Sequence, residues 1–407
     1  MNISTILLHL SLIDGIGPIT IKKIVQKREE ARFDLQNLYR LSKADLVQQF
    51  GFSLPLATKL YTGLCDHTRL QKECELMVKH NIQYVSLACS GYPELLKHIY
   101  APPAVLYVKG TIELFKHEKK IAFVGSRKAH RYGEKIVEDI VPQMVQQGWV
   151  IVSGGALGAD SMAHRVTLQS EGKTIAILGS GLLRPYPASN ERLFDEMVEK
   201  GGAVVTIFPL ETFARPGNFP ARNRIIAGLS MGCVVVQAAA KSGACITAQS
   251  ALDEGRHVFA VPGPIDDELS AGCHWLIQQG AKLVGNASDI LYDLPDYLSQ
   301  ANNKEVASVE DDGKGHQAVS CTKSLVQMNR FKKNRLTKSL HFDDNTSNGL
   351  SRSEAEIINC CKIPCSLDEI LQATNMELDE LHKLLFEMQL KGQIIQNFAG
   401  MFERGTK

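Results

Sequence analysis

Three glycine-rich segments of the sequence each follow a short apolar run, and each could bind an anion. They are residues 125–127 (GSR), 153–160 (SGGALGAD) and 179–181 (GSG). Glycine lets a ligand approach the backbone closely, and free N–H groups at a helix start favour an anion. Neighbouring turns of this kind indicate a polyphosphate or a nucleic-acid backbone as the ligand. Tight turns between strand and helix, with no ligand, are the alternative interpretation.

A fourth segment, residues 215–229, combines cations with an aromatic ring. Arg215, Arg222 and Arg224 lie close together in it, and Phe219 stands between the first and the second. Arginine presents a planar fork to phosphate, and phenylalanine offers a stacking face to an unpaired base. The segment therefore predicts contacts to a single-stranded nucleic acid.

The helix predicted to begin in this segment decides where its polar side chains point. Arg222 and Asn223 enter the first turn, where their side chains can face the same crevice as the glycine-rich turns. Lys241, after the next predicted strand, adds a cation to the same rim. An exposed loop with one arginine paired to Glu211 is the alternative.

Motifs for catalysis are missing from these loops. The sequence has no GxGxxG with a following acid, no Walker A sequence, no GxSxG and no metal-ligand set. His164, Asp160 and Glu211 are the ionisable candidates nearby, and Asp160 is interpreted as a helix cap. We therefore predict a binding surface, with no catalytic residue, no metal and no cofactor.

The overall composition excludes some classes of protein. The 407 residues include 45 Lys+Arg and 44 Asp+Glu, a net charge of +1, which excludes a uniformly basic nucleic-acid binder but permits a local basic patch. No apolar run is long enough for a membrane span. The 10 cysteines are scattered without a CxxC pair, which is typical of a reducing compartment.

Residues 70–295 alternate short apolar runs with helical stretches. This pattern predicts an α/β domain whose parallel strands are buried on both faces, a doubly wound Rossmann-like sheet. Ligands of such sheets bind at the carboxyl ends of the strands, where the glycine-rich loops lie. The predicted strands are 121–124, 149–152, 174–178, 203–207, 233–237, 257–261 and 282–284.

The flanking regions differ from the middle. Residues 1–65 predict a small helical domain of the SAM or helix-hairpin-helix type, in which 15–18 (GIGP) is either a DNA-contacting turn or a plain turn. The polar stretch 296–350 predicts a flexible linker. Residues 351–407 predict a winged helix that ends in a hairpin of 394–396 and 401–403. Its predicted recognition helix, 375–391, is too acidic to read a DNA groove and favours a partner contact.

Several segments, in this order along the chain, resemble the DNA-processing protein A family (DprA, also called Smf). The resemblance covers about residues 90–290. The segments are GSRKAHRYG, IVSGGALGADSMAH, GKTIAILGSGLLRPYPASN, PGNFPARNRIIAGLS, KSGACITAQSAL and GRHVFAVPG.

The resemblance implies a cytoplasmic bacterial protein that binds and protects single-stranded DNA and loads RecA during natural transformation. It also implies a homodimer formed through the Rossmann-like domain, and no enzymatic activity. Ala159 stands where isoleucine is common in the family. Carried over residue by residue, the DNA groove uses Ser126, Arg127, Gly154, Gly155, Lys173, Asn190, Phe219, Arg222, Asn223, Arg224 and Lys241.

Two other hypotheses belong to different classes of protein. One is a nucleotide phosphoribohydrolase of the lysine-decarboxylase-like (LOG) type, which shares the Rossmann core. Its PGGxGTxxE signature carries a catalytic Glu, whereas this chain reads PGNFPAR at 216–222. The other is a scaffold whose principal partner binds the winged helix.

Overall fold

The computed structural model divides the chain into two compact units, Met1–Gly313 and Lys314–Lys407. The residues that it describes are 1–31, 33–294, 352–361, 365, 367–374, 376, 381, 384–385, 387–389, 393–396 and 402–404. The predicted linker at 296–350 and most of the predicted helix at 375–391 lie outside these residues.

A nine-stranded sheet forms the centre of the first unit, with the strand order β1-β2-β6-β5-β4-β3-β7-β8-β9. Its strands are β1 Gln83–Ser86, β2 Val105–Gly110, β3 Lys120–Val124, β4 Val150–Ser153, β5 Thr174–Leu178, β6 Ala203–Thr206, β7 Gly232–Val235, β8 His257–Ala260 and β9 Lys282–Leu283.

Seven of these strands, β3 to β9, run parallel, as the sequence predicts. The sheet as a whole is nevertheless mixed, which corrects the expectation of a purely parallel sheet. β2 pairs antiparallel with β6, and β1 pairs antiparallel with β2. These two added strands cover the edge of β6, which would otherwise present unpaired backbone groups.

The strand order reverses between β3 and β7. From β3 the chain proceeds to β4, β5 and β6 on one side, and then returns to place β7 on the other side of β3. Such a reversal leaves a crevice at the carboxyl ends of the two strands, and open α/β sheets bind their ligands there.

Helices cover both faces of the sheet because its strand residues alternate between two cores. In β3, Ile121 and Phe123 face one core, while Ala122 and Val124 face the other. The helices that follow β1 in the chain are α6 Glu94–Lys97, α7 Arg131–Gln146, α8 Ala159–Gln169, α9 Glu191–Glu199, α10 Asn218–Leu229, α11 Gly243–Asp253, α12 Ala271–Gln278 and α13 Ala287–Asp293. Three 3₁₀ turns, Leu35–Arg40, Ile112–Lys116 and Ala188–Asn190, complete the unit.

Five helices precede the sheet and share its core. Ile6 of the first helix belongs to the same buried cluster as Tyr107 of β2. The last of these helices crosses the predicted boundary between residues 65 and 70, so that boundary does not separate compact units. The helices are α1 Ile3–Leu12, α2 Pro18–Ala31, α3 Lys43–Phe50, α4 Leu54–Cys65 and α5 Thr68–Lys79.

The described part of the second unit includes two helices and a strand pair. These are α14 Arg352–Cys360, α15 Leu367–Thr374, β10 Ile394–Gln396 and β11 Phe402–Arg404. The predicted hairpin is present, with its second strand one residue later than expected. Across the described ranges of both units, no helix is long and apolar enough to cross a membrane.

Candidate nucleic-acid interface

A pocket of about 440 Å³ opens at the carboxyl ends of β3 and β7, where the strand order reverses. We call it the strand-end pocket. Its walls come from the loop after β3, the start of α10 and the start of α11, and Glu268 is the carboxylate at its lip. The polar and aromatic side chains that line it include Ser126, Arg127, Lys128, Phe219, Arg222, Asn223 and Ser242.

The exposed side of the pocket combines a cation with an aromatic ring. The guanidinium carbon of Arg127 lies 5.0 Å from the ring centre of Phe219. The Tyr186 ring lies 5.8 Å from the Phe219 ring and is tilted against it. Arg127 and Tyr186 are exposed, and Phe219 is half-buried. The arrangement can neutralise a phosphate and stack a base at the same place.

Of the helices that begin at this edge, three have residues of their first turn in the pocket wall. They are α8, α10 and α11, and the Ser242 side chain caps α11 by accepting a hydrogen bond from the Cys245 N–H. Aligned peptide dipoles make a helix amino end partly positive, which favours an anion. Lys241 is exposed immediately before α11. The helix amino ends and the Lys241 side chain therefore both contribute positive electrostatic potential at the pocket.

Arg222 lies beneath this surface rather than on it. The side chain is only 4% exposed and donates hydrogen bonds to the carbonyls of Gly154 and Ile177, the latter at 2.6 Å. Its guanidinium carbon lies 5.9 Å from the Phe219 ring centre. Arg222 thus faces the predicted crevice, where its guanidinium forms part of the pocket floor and ties the loop after β4 to β5.

Asp160 provides the buried negative charge opposite Arg222. Burial raises the pKa of the Asp160 carboxyl, although the Arg222 charge and a hydrogen bond from the Ala156 N–H act against that rise. Burial also lowers the pKa of Arg222 to about 10, so the guanidinium stays charged at neutral pH. Asp160 lies in the first turn of α8, whose N-cap is Gly158. It is therefore a buried partner of Arg222 rather than the predicted cap.

Gly154 and Gly155 have steric roles around this arginine. A Cβ atom at Gly154 would collide with the Arg222 guanidinium and would lie 2.6 Å from the Asp160 carboxylate. Gly155 has a φ of +63°, a backbone conformation that side-chain-bearing residues rarely adopt. The space beside Gly154 is thus occupied by the Arg222 side chain of the protein itself, and not left for a ligand.

His164 completes the buried layer formed with Asp160 and Arg222. The Thr174 hydroxyl donates to the Ile151 carbonyl, so His164 Nδ1, 2.7 Å from that hydroxyl, must be the donor to it. Nε2 is then the unprotonated nitrogen, and it has no hydrogen-bond partner. Burial, helped by the Arg222 charge, lowers the pKa of His164 to about 3. A neutral, enclosed imidazole of this kind is a packing residue.

Two asparagines among the predicted site residues are largely buried and bind backbone carbonyls. Asn190 donates to Gly155 O at 3.0 Å, and Asn223 donates to Gly243 O at 3.3 Å. They hold the loops in place, and Asn223 also lines the pocket. Ser126 is half-buried at the pocket wall, where its hydroxyl accepts from the Lys128 N–H at 3.1 Å.

Two predicted cations are not brought to the pocket. Lys173 precedes β5 and therefore lies at the amino ends of the strands, where it donates to Lys200 O at 2.7 Å. Arg224 donates to the carbonyl of Ala101 from a different side of α10 than Arg222. Neither residue lines the strand-end pocket with Arg127 in the structure.

The site residues predicted from the sequence do not include Tyr186, nor the pocket-lining Lys128, Ser242 and Glu268. Tyr186 follows β5, in the loop after 179–181 (GSG), and its ring extends the aromatic surface next to Phe219. The signal was available, because an aromatic residue after a strand end is a candidate for base stacking. Within the described ranges, no group of three or more His, Cys, Asp or Glu side chains could hold a metal ion.

The fold and the pocket define a Rossmann-like α/β protein with a cationic, aromatic pocket at its topological switch point. A model of the family described as DNA recombination-mediator protein A matches residues 83–295, just over half of the chain. The chain belongs to this family, and the resemblance found in the sequence is thereby confirmed.

Relatives of known name support the assignment. The chain is 43% identical to DNA processing protein DprA of Bacillus subtilis over 218 residues, which are 54% of this chain and 73% of that protein. It is 47% identical to DNA processing protein DprA of Streptococcus pneumoniae over 200 residues, 49% of this chain and 70% of the relative. The X-ray structure of the Streptococcus pneumoniae protein superposes with a TM-score of 0.63 at 36% identity, covering 72% of this chain and 99% of that one.

Proposed function

We propose that this protein binds single-stranded DNA without sequence preference in the strand-end pocket, and that it acts as a recombination mediator without catalysing a reaction. The observation that carries the proposal is the exposed pairing of Arg127 with Phe219 at a point where three helices begin. Cations that neutralise phosphates and rings that stack bases are the two elements of single-strand binding. Neither reads the edge of a base, so we expect weak sequence preference.

The direct test is binding of a fluorescent oligonucleotide over a range of salt concentrations. Each phosphate that a protein cation neutralises contributes about 0.7 to the slope of log affinity against log salt for a single strand. Arg127→Ala should weaken binding of every sequence and reduce this slope by about 0.7. Lys173→Ala, which removes a cation at the opposite edge, is the matched control and should change neither quantity. Equal affinity and slope for wild type and Arg127→Ala would refute the pocket as the DNA site.

The proposed cellular role is protection of incoming single-stranded DNA and loading of RecA during natural transformation. It rests on the family and on a pocket suited to unpaired DNA. The expected result is faster RecA filament assembly on DNA covered by a single-strand binding protein when this chain is present. Arg127→Ala should lose that stimulation. A protein that binds DNA but never accelerates assembly would remove RecA loading from the proposal.

The architecture outside the pocket is also part of the proposal. We infer a homodimer formed through the Rossmann-like domain, a helix-hairpin-helix-like role for α1 and α2, and a winged helix in the second unit, all in a cytoplasmic protein. Gly15, between α1 and α2, has a φ of +83°, as a tight turn requires. Light scattering tests the dimer. Deleting residues 351–407 should leave DNA binding intact, and its loss would favour the scaffold hypothesis.

The nucleotide phosphoribohydrolase is the less favoured candidate. At residues 216–222, where that class carries its catalytic Glu, the chain has Arg222, which is buried and bonded to backbone carbonyls. Asp160, the carboxylate that interacts with this arginine, is buried. We expect no release of base from AMP by the purified protein, and detectable release would revive the enzyme hypothesis.

A further inference from the structure

A second pairing of arginine with phenylalanine lies on the exposed surface beside the strand-end pocket. The guanidinium carbon of Arg184, after β5, lies 5.0 Å from the ring centre of Phe213, after β6. Phe213 is 61% exposed. Arg127 and Phe219 have the same separation. The chain thus carries two copies of one cation–ring arrangement at the carboxyl ends of its strands.

The two pairings are joined by short contacts. Asn218, the residue before Phe219, donates its side-chain N–H groups to Phe213 O at 3.3 Å and to Gly179 O at 3.0 Å. The Tyr186 ring lies 5.8 Å from the Phe219 ring. We call Arg184, Tyr186 and Phe213 the outer platform. These contacts make it continuous with the strand-end pocket.

Backbone hydrogen bonds hold the outer platform in place. Gly181 N donates to Thr212 O at 2.8 Å, and Leu183 N donates to Leu210 O at 3.0 Å, so the loops after β5 and β6 are tied together. Leu210 N in turn donates to the buried carboxylate of Glu73 in α5 at 2.7 Å. A ring carried on loops whose backbone is fixed in this way requires little ordering of the chain when a ligand stacks on it.

The acidic side chain nearest this platform has its own partner. Glu211 stands two residues before Phe213, and its carboxylate lies 2.5 Å from the Lys72 ammonium of α5. That ion pair, with a weaker contribution from Arg184, lowers the pKa of Glu211. A phosphate approaching Arg184 therefore meets a carboxylate whose charge is largely compensated.

We propose that the outer platform is a second stacking site for the same DNA strand, which takes an unpaired base on Phe213 and its neighbouring phosphate beside Arg184. The inference rests on the proposed function, and it lengthens the path of the strand from the loop after β3 to the loops after β5 and β6. Aromatic stacking tolerates any base, which fits a strand bound irrespective of sequence.

The test compares Phe213→Ala and Phe213→Trp in binding to a twenty-nucleotide oligo-dT. Loss of one stacked base should weaken binding roughly 5- to 150-fold for Phe213→Ala, whereas Phe213→Trp keeps an aromatic face and should bind like wild type. Tyr100→Ala is the matched control. Tyr100 is 74% exposed, and its N–H binds Glu254 at the far end of α11, away from the pocket. It should leave affinity unchanged.

A second readout is photocrosslinking of an oligonucleotide that carries 5-iodo-deoxyuridine, followed by mapping of the modified peptide. Crosslinks at residue 213 in wild type support the proposal. Wild-type affinity for Phe213→Ala, together with crosslinks confined to the Phe219 peptide, would overturn it while leaving the strand-end pocket intact. Failure of the wild-type protein to bind the oligonucleotide at all would instead refute the proposed function itself.

Discussion

The exposed surface of the strand-end pocket and the buried layer beneath it use the same kind of residue for different purposes. Arg127 lies in solvent against the Phe219 ring, whereas Arg222 lies inside the protein and binds two backbone carbonyls. The two guanidinium groups approach the same ring, at 5.0 and 5.9 Å. Only the first is free to meet a phosphate. An arginine beside a nucleic-acid pocket can thus support the pocket rather than bind its ligand.

The comparison is tested most severely by removing the buried cation. Arg222→Leu leaves the buried Asp160 carboxylate without an opposite charge and leaves two backbone carbonyls without a hydrogen-bond donor. The free energy of unfolding should therefore fall by about 3–5 kcal/mol. Urea denaturation measures the change. The double variant Asp160→Asn/Arg222→Leu should lose clearly less than the sum of the two single variants. Additive losses would show that the two charges do not interact.

The glycine that accommodates Arg222 offers a second test. Gly154→Ala places a methyl group against the guanidinium and the Asp160 carboxylate, and should lower the free energy of unfolding by about 1–3 kcal/mol. Gly217→Ala is the matched control, because nothing lies within 4 Å of its added Cβ. It should be nearly neutral. Equal stability for both variants would contradict the close packing around Arg222.

A third test uses the buried imidazole. His164 has a folded-state pKa of about 3, below the ordinary value of 6.5, so the unfolded chain binds a proton that the folded one refuses. Its contribution to stability is present above pH 6.5 and is lost as the pH falls, by about 1.4 kcal/mol per pH unit at most. Urea denaturation between pH 7.5 and 5 should show a shallower loss in His164→Leu than in wild type. Identical pH slopes would argue for a protonated imidazole.

The smallest expected effect on stability is at the surface. Arg127→Ala removes an exposed cation–ring contact and should change the free energy of unfolding by about 0.5 kcal/mol or less. Thermal unfolding checks this, with Arg222→Leu as the reference for a large loss. A destabilisation comparable to that of Arg222→Leu would erase the distinction between the exposed surface and the buried layer.

The sequence predicted the seven parallel strands because each is a short apolar run between loop signals. It did not reveal β1 and β2. β1 is four residues long and partly exposed. The antiparallel pairing of β2 with β6 depends on contacts between residues far apart in the chain. Lys173 shows the opposite case. The strand-end rule already places a residue before β5 at the amino edge, whereas the family resemblance implies a DNA contact for it.

The burial of Arg222 could also have been predicted. Arg222, Ile225, Ile226 and Leu229 stand at the spacing of one helix face, so the arginine belongs to the apolar side of α10. Its charge, taken alone, favours a phosphate contact instead. The buried partner Asp160 lies 62 residues earlier, and sequence spacing carries no information about such a pair. The fold, the location of the pocket and the burial of Arg222 could therefore be predicted from the sequence, whereas the pairing of Arg222 with Asp160 required the three-dimensional contacts.

The most direct measurement of the central claim is the salt dependence of oligonucleotide binding for Arg127→Ala and Arg222→Lys side by side. Arg127→Ala should reduce the slope of log affinity against log salt by about 0.7, because a phosphate contact is lost. Arg222→Lys, which keeps a buried cation, should leave the slope at its wild-type value even where the affinity falls. A slope reduced by the Arg222 variant but unchanged by the Arg127 variant would contradict the account.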